Sequence, residues 1–284
     1  MTEESTARRR ELGNELRLLR KRRNMSGHEL GRRLEWPASN ISRLETGVRP
    51  LPIVEVATFL ATCGATAAER SRVLKLAAHQ DDQYWIRPYF GQLADPLQSV
   101  IIQENLAKSL IVYEPVAIPG LLQTEGYMRT AFGWDGRYTR ERIDLLTEAR
   151  MSRQNVLSRK NPLRCTVFVH ERALRAIVGD TKVMHEQLLH LLLSSNLPQC
   201  SIRVVPESAA TLRLHDSSFN ILEFDDHPTA VYTDTYAAGV FVDDRAGVES
   251  YYILSTRLEQ SSLNKGESRQ LLTQLASEYD RMEE

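Results

Sequence analysis

Three groups of residues carry chemistry that a protein could use. The segment His185-Glu186-Gln187-Leu188-Leu189-His190 places two imidazoles and a carboxylate within one short run, close in composition to a zinc-protease helix. That site needs its histidines four residues apart, so that both face one ion. Here they are five apart, which on a helix turns them about 140° from each other. They read as one helix histidine and one surface histidine. The cluster Asp225-Asp226-His227-Pro228 could also offer metal ligands, but Asp and Pro in this order are turn formers, and a β-turn between strands is the better reading. The three cysteines, Cys63, Cys165 and Cys200, are widely spaced and form no C-x-x-C pair, as expected of thiols in a reducing cytoplasm. No P-loop, G-x-G-x-x-G or G-x-S-x-G motif occurs. The sequence therefore predicts no catalytic constellation, no metal site and no cofactor.

The third group is cationic. The formal net charge of the 284 residues is -1, but the charge is unevenly distributed. Residues 1–77 hold 15 Lys+Arg against 9 Asp+Glu, and residues 78–284 hold the remaining 21 against 28. That is +6 followed by -7, the pattern of a basic module suited to a polyanion joined to an acidic module with another task. Composition is that of an ordinary soluble globular chain, 42% apolar and 26% charged, which excludes collagen-like, disulfide-rich and largely disordered classes. No apolar run approaches the roughly 18 residues needed to span a bilayer. The opening MTEESTARRR has no apolar core, so no secretory signal is expected.

The elements that must position the basic residues can be read locally. Leu12, Leu16 and Leu19 form one stripe on a helix over 8–23. Ser26-Gly27-His28-Glu29 has the form of a capping box and starts a short second helix with Leu30 and Leu34 inward. Pro37, suited to a first helical position, opens a third helix to about Thr46, with Ile41 and Leu44 inward and Gly47 as the stop. A fourth helix is expected over 53–63, and a fifth from the capping box at Thr66 and Glu69 to about Ala77. Five short helices with a tight turn between the second and third make a helix-turn-helix plan.

Within that plan, Leu30-Gly31-Arg32-Arg33-Leu34, Ser39-Asn40-Ile41-Ser42-Arg43-Leu44-Glu45-Thr46-Gly47 and Arg49-Pro50 resemble the helix-turn-helix of the phage-repressor (Cro/C1, or XRE) family over about residues 11–77. The resemblance implies that the third helix enters the major groove of double-stranded DNA. Ala38 and Ser39 match the two leading base-reading positions and Arg43 a third. Arg43 could pair bidentately with guanine or, alternatively, contact phosphate. Asn40, Ser42, Arg32, Arg33 and Arg49 are assigned to the DNA backbone, which supplies affinity with little sequence choice. Arg20 and Glu45 match positions of a partly buried ion pair, expected here to be bidentate. Three residues depart from the family pattern. Gly31 replaces a usual alanine, Gly27 a polar side chain that would touch phosphate, and Pro37 a serine-like cap.

The remainder, residues 85–284, reads as α+β. Helices are expected over 96–110, 121–132, 139–158, 182–193, 245–260 and 266–283. Strands are expected over 165–169, 201–205, 219–224 and 231–233, in one mostly antiparallel sheet. Residues 79–83 read as a linker or helix end. On the last helix Leu271, Leu272, Leu275, Tyr279 and Met282 share a side and suggest core packing. Tyr113-Glu114 and Pro119-Gly120-Leu121-Leu122-Gln123-Thr124 resemble the long second domain of Scr1-type, antitoxin-like transcriptional regulators of actinomycetes. Physically, Pro119-Gly120 is a turn opening a helix. The two resemblances together imply a bacterial, cytoplasmic DNA-binding regulator, more readily a repressor. Residues 8–77 would bind a two-fold operator as part of a homodimer. Residues 85–284 would dimerise and respond to a small partner protein or a small molecule. The alternative is an interaction protein that neutralises a small partner and autoregulates its operon.

Overall fold

The computed structural model describes residues 5–78, 82, 84–88, 96–134, 136, 138–209, 217–235 and 238–282. The head is helical: α1 (Ala7–Arg22), α2 (Gly27–Leu34), α3 (Ala38–Glu45), α4 (Ile53–Thr62) and α5 (Ala67–Ala77). After it come β1 (Tyr84–Pro88), α6 (Pro96–Leu106), β2 (Ser109–Glu114), α7 (Glu125–Gly133), α8 (Arg140–Arg153), β3 (Arg164–His170), α9 (Glu171–Arg175), α10 (Thr181–Ser194) and β4 (Cys200–Val205). The chain ends with β5 (Phe219–Glu223), β6 (Ala230–Asp234), β7 (Ala238–Val242), α11 (Arg245–Ser261) and α12 (Lys265–Arg281). The fold is α+β, five helices followed by a seven-stranded, mostly antiparallel sheet in the order β1-β7-β6-β5-β2-β3-β4 with further helices. Except for Asp82, the linker expected at 79–83 lies outside the described residues.

Two compact units are formed, Met1–Ala107 with Leu222–Val248, and Lys108–Ile221 with Glu249–Glu284. In the first, the helical core consists of Leu12, Leu16, Leu19, Leu30, Ile41, Leu44, Val56, Phe59 and Val73, all buried. Leu34, expected inward, is only half-buried. The helix starts follow their caps. The Thr6 hydroxyl accepts from Arg9 N, the Ser26 hydroxyl accepts from Glu29 N, and Thr66 with Glu69 closes a reciprocal capping box. The same unit contains an antiparallel ladder, with β7 paired to both β1 and β6.

In the second unit β2, β3 and β4 run parallel, with Val112 beside Val167 and Val167 beside Ile202. The return from β3 to β4 goes through α9 and α10, as a parallel connection requires. Two expectations are corrected here. The helix predicted to reach residue 110 stops at Leu106, and Ser109–Glu114 is strand β2, because Ile111 and Val112 favour a pleated, half-buried setting. The helix expected over 121–132 is broken. Gly120–Leu122 is a 3-10 turn, and α7 begins only after Thr124, whose hydroxyl accepts from Tyr127 N at 3.3 Å. Gln187 of α10 holds the break open. Its Nε2 donates to Leu122 O and its Oε1 accepts from Thr124 N, each at 2.7 Å. The Pro119–Thr124 motif is thus a helix-opening turn stapled by a buried amide. On α12, Leu272, Leu275 and Tyr279 are buried as expected, Leu271 is half-buried, and Met282 is exposed.

Candidate nucleic-acid interface

The third helix has two faces with different tasks. Ile41 and Leu44 turn inward and are about 1% exposed. Ser39, Ser42 and Arg43 are exposed and Ala38 and Asn40 half-exposed. Ser39, Ser42, Arg43 and Thr46 recur at helical spacing, so they share the outer face. Thr46, which sequence reading left unassigned, completes that face, and its hydroxyl donates back to Ser42 O at 3.0 Å. Pro37 sits one position earlier than expected. It is the N-cap, with φ -57 and ψ 139; its fixed φ suits either position, and the extended ψ is what places it outside the helix.

The inner face is fixed by backbone contact and by charge. A Cβ on Gly13 of α1 would lie 2.6 Å from Leu44 O, and one on Gly47 would lie 2.8 Å from Arg10 N. These separations admit only glycine, and Gly47 has in addition a φ of +73. The carboxy-terminal end of α3 therefore rests backbone-on-backbone against α1. Beside this contact Arg20 and Glu45 form a bidentate pair, Nε to Oε1 at 2.5 Å and Nη2 to Oε2 at 2.7 Å. The remaining Arg20 Nη1 donates to Met25 O at 2.7 Å. Hydrogen bonding to Glu45 raises the Arg20 pKa above its ordinary value, overriding its partial burial.

The turn between α2 and α3 is built on Glu35, which has φ 57 and ψ 32. A left-handed backbone costs a residue with a Cβ about 1–2 kcal/mol, and glycine avoids that cost. Glu35 is exposed, and its carboxylate adds negative charge one residue from Trp36-Pro37. Glu35→Gly is expected to stabilise the head by about 1 kcal/mol and to tighten binding to any duplex. Hydrogen exchange of the α2 and α3 amides and a DNA titration at fixed salt measure the two effects. Unchanged protection would mean that the turn is not under strain. Gly31 is constrained differently. Its Cβ would stand 2.7 Å from Trp36 O, so the alanine of the resembled family does not fit this turn.

The cations near α3 differ in availability. Among the described residues Arg32 and Arg43 are exposed and make no side-chain hydrogen bond or ion pair. Arg33 is paired with Glu29 at 2.8 Å, and Arg49 lies 3.7 Å from Glu55. Both pairs are partly open to solvent, so they are weak and a phosphate can displace the acid. Much of the head's remaining basic charge is engaged internally. Arg8 donates to Leu76 O and Lys75 O, Arg23 to Cys63 O and Gly64 O, and Arg72 pairs with Glu15. Arg10 is buried altogether. The +6 count therefore overstates the charge offered to a polyanion.

The remaining groups with possible chemistry are dispersed. His185 Nδ1 lies 2.8 Å from Ala276 O, and burial lowers the pKa of His190. The Asp225–Pro228 segment is the irregular connection between β5 and β6. Burial pushes the thiols of Cys63 and Cys200 up to about 11. Among the described residues no group of three or more His, Cys, Asp or Glu side chains is placed to hold a metal ion, and no helix is long and apolar enough to cross a membrane.

Comparison with protein families assigns both parts of the chain. A helix-turn-helix domain matches residues 11–73, from within α1 into α5. The family described as a domain of unknown function, DUF5753, matches residues 97–274. The chain belongs to the DUF5753 family. The helix-turn-helix head of this DUF5753 protein supports a DNA-binding regulator. No curated protein matches the chain. Among solved structures the DUF5753 protein is similar to TrmBL2, an archaeal chromatin protein described as showing a novel mode of DNA binding. That match has 10% identity over 84% of this chain and 88% of the other, with a TM-score of 0.32, a level at which neither fold nor function is transferred.

Proposed function

We propose that this DUF5753 protein is a bacterial, cytoplasmic transcriptional regulator rather than an enzyme, with an XRE-type head that reads a two-fold operator as a homodimer. Residues 8–77 bind DNA, and residues 85–284 dimerise and receive a signal from a small protein or a small molecule. The observation that carries the reading is the outer face of α3, where Ser39, Ser42 and an unpaired Arg43 project from a helix whose inner face is locked to α1. Ala38 and Ser39 lie at the start of that helix, where a recognition helix meets base edges. Arg43 follows one turn later and reads a base, while Asn40, Ser42, Arg32, Arg33 and Arg49 meet the backbone. The Scr1-type reading of the second domain rests on Tyr113-Glu114 and Pro119–Thr124.

The test is sequence-resolved binding of the full-length chain to fragmented genomic DNA at fixed salt, with Arg43→Ala alongside. A single enriched two-fold motif is expected. The substitution should cost about 1–3 kcal/mol and relax one base position of each half-site. A uniform loss over all operator variants reassigns Arg43 to phosphate. Binding without any motif refutes the operator-reading regulator.

A further inference from the structure

We infer that the outer face of α10 is the surface on which two copies of this chain pair, an inference that rests on the dimeric reading above and locates its contact. The inner side of α10 is ordinary core, with Met184, Leu188 and Leu191 buried. Its outer side is not an ordinary solvated face. Leu189 is 41% exposed and Leu193, one turn on, 68%, and the line continues to Leu197 at 38% in the turn that follows. Leucines repeating every four residues on a solvent-facing helix leave an apolar stripe that water disfavours.

The charges at the two ends of the stripe identify the occupant as a second copy. Glu186 lies one turn before Leu189–Leu193 on the same line, is exposed, and makes no hydrogen bond or ion pair among the described residues. At the other end Arg269 of α12 is held by Leu192 O, by Ser195 Oγ at 2.9 Å and by Asn196 Oδ1 at 2.8 Å. All three acceptors are neutral, so the guanidinium is fixed in place without a counter-charge. Leu191 lies midway in sequence between Glu186, about 7.5 Å back along the axis, and Asn196, which follows just past the helix end at Ser194. A two-fold axis at the level of Leu191 therefore sets two α10 helices antiparallel with Leu189 against Leu193 in both directions. The same rotation brings Glu186 of each copy to the Arg269 corner of the other. This is the self-complementarity that an isologous contact requires.

A stripe of three leucines per copy is smaller than the roughly 1,200 Å² of a specific interface, so the pairing is reversible and concentration-dependent. Sedimentation velocity of the full-length chain over a concentration series is the test. Wild type should pass from monomer to dimer as concentration rises. Leu193→Asp, and separately Glu186→Arg, should weaken the dimer at least about tenfold (about 1.4 kcal/mol), because Glu186→Arg opposes like charges across the axis. Combining Glu186→Arg with Arg269→Glu should restore it. These are exposed positions, and circular dichroism checks that each variant remains folded. A wild type that stays monomeric at every concentration overturns the proposal, including the case in which a different protein covers the stripe. Dimers that ignore both single substitutions overturn only the α10 surface and leave a dimeric regulator standing. Loss of DNA binding by wild type itself, measured in parallel, would instead remove the regulator reading.

Discussion

Arg20→Ala or Glu45→Ala lowers the stability of the head by about 3 kcal/mol and leaves the pattern of base preference unchanged. The pair joins α1 to the last residue of α3 and is mostly buried, with the Arg20 and Glu45 side chains 13% and 7% exposed. Truncating one member leaves the other charged in a site that water reaches poorly, which costs about 3–5 kcal/mol for a fully buried pair. The residual exposure places this pair at the lower end. Arg20→Lys is expected to recover only part of the loss, since an ammonium cannot make both bonds of the fork or reach Met25 O at the same time. Glu45→Gln keeps one acceptor and should fall between. Hydrogen exchange of the α1 and α3 amides is the suitable measurement, because a chain of two compact units need not unfold in one step. A loss below about 1 kcal/mol would match an exposed surface pair and would mean that the glycine contacts alone seat α3.

The head was legible because its determinants are local. Caps at Ser26 and Thr66 and stripes of leucine with three- and four-residue spacing lie within the segments they organise, and the observed helices begin and end within a residue or so of them. The first correction to that reading is also local: Pro37 could satisfy its φ at either of two adjacent positions. What the sequence did not reveal depends on partners far along the chain. Strand β1 exists because Tyr84–Pro88 pairs with Val242–Ala238, and nothing within five residues of sequence announces that. Gln187 interrupts the expected helix at Gln123-Thr124 from 63 residues away. The DNA-facing candidates depended on the family pattern for their roles. The structure supplies the distinction the pattern lacked, between arginines that are free and arginines already engaged.

Arg10 is the sharpest instance of that distinction and the basis of the largest expected effect outside α3. In the sequence it is one of three consecutive arginines in a basic segment. In the structure it is 1% exposed. Its Nε donates to Gln103 Oε1 at 2.6 Å, Nη1 to Ser5 O at 2.8 Å and Nη2 to Asp243 Oδ1 at 3.3 Å, and its guanidinium stacks 4.5 Å over Phe224. Asp243 also accepts from Ala7 N at the start of α1, at 3.0 Å to each oxygen, where the helix dipole favours a negative charge. α1 is thereby bound to α6 and to the residue that follows β7, all within one compact unit. Burial lowers the Arg10 pKa to about 10 and raises that of Asp243, and in each case the attraction between them offsets only part of the effect. Both shifts have one meaning: the interior disfavours these charges more than the pairing favours them. Asp243→Ala should therefore cost about 3–5 kcal/mol, by leaving Arg10 uncompensated and Ala7 N without its acceptor. Arg10→Met combined with Asp243→Asn removes both charges and keeps an oxygen for Ala7 N. It should cost less than the sum of Arg10→Met and Asp243→Asn made singly. Exchange of the α1 and α6 amides in the single and double variants measures that coupling. Additive losses would show that Arg10 and Asp243 act independently. A coupled loss would show that Arg10 serves as the buried counter-charge of Asp243 rather than as a phosphate contact.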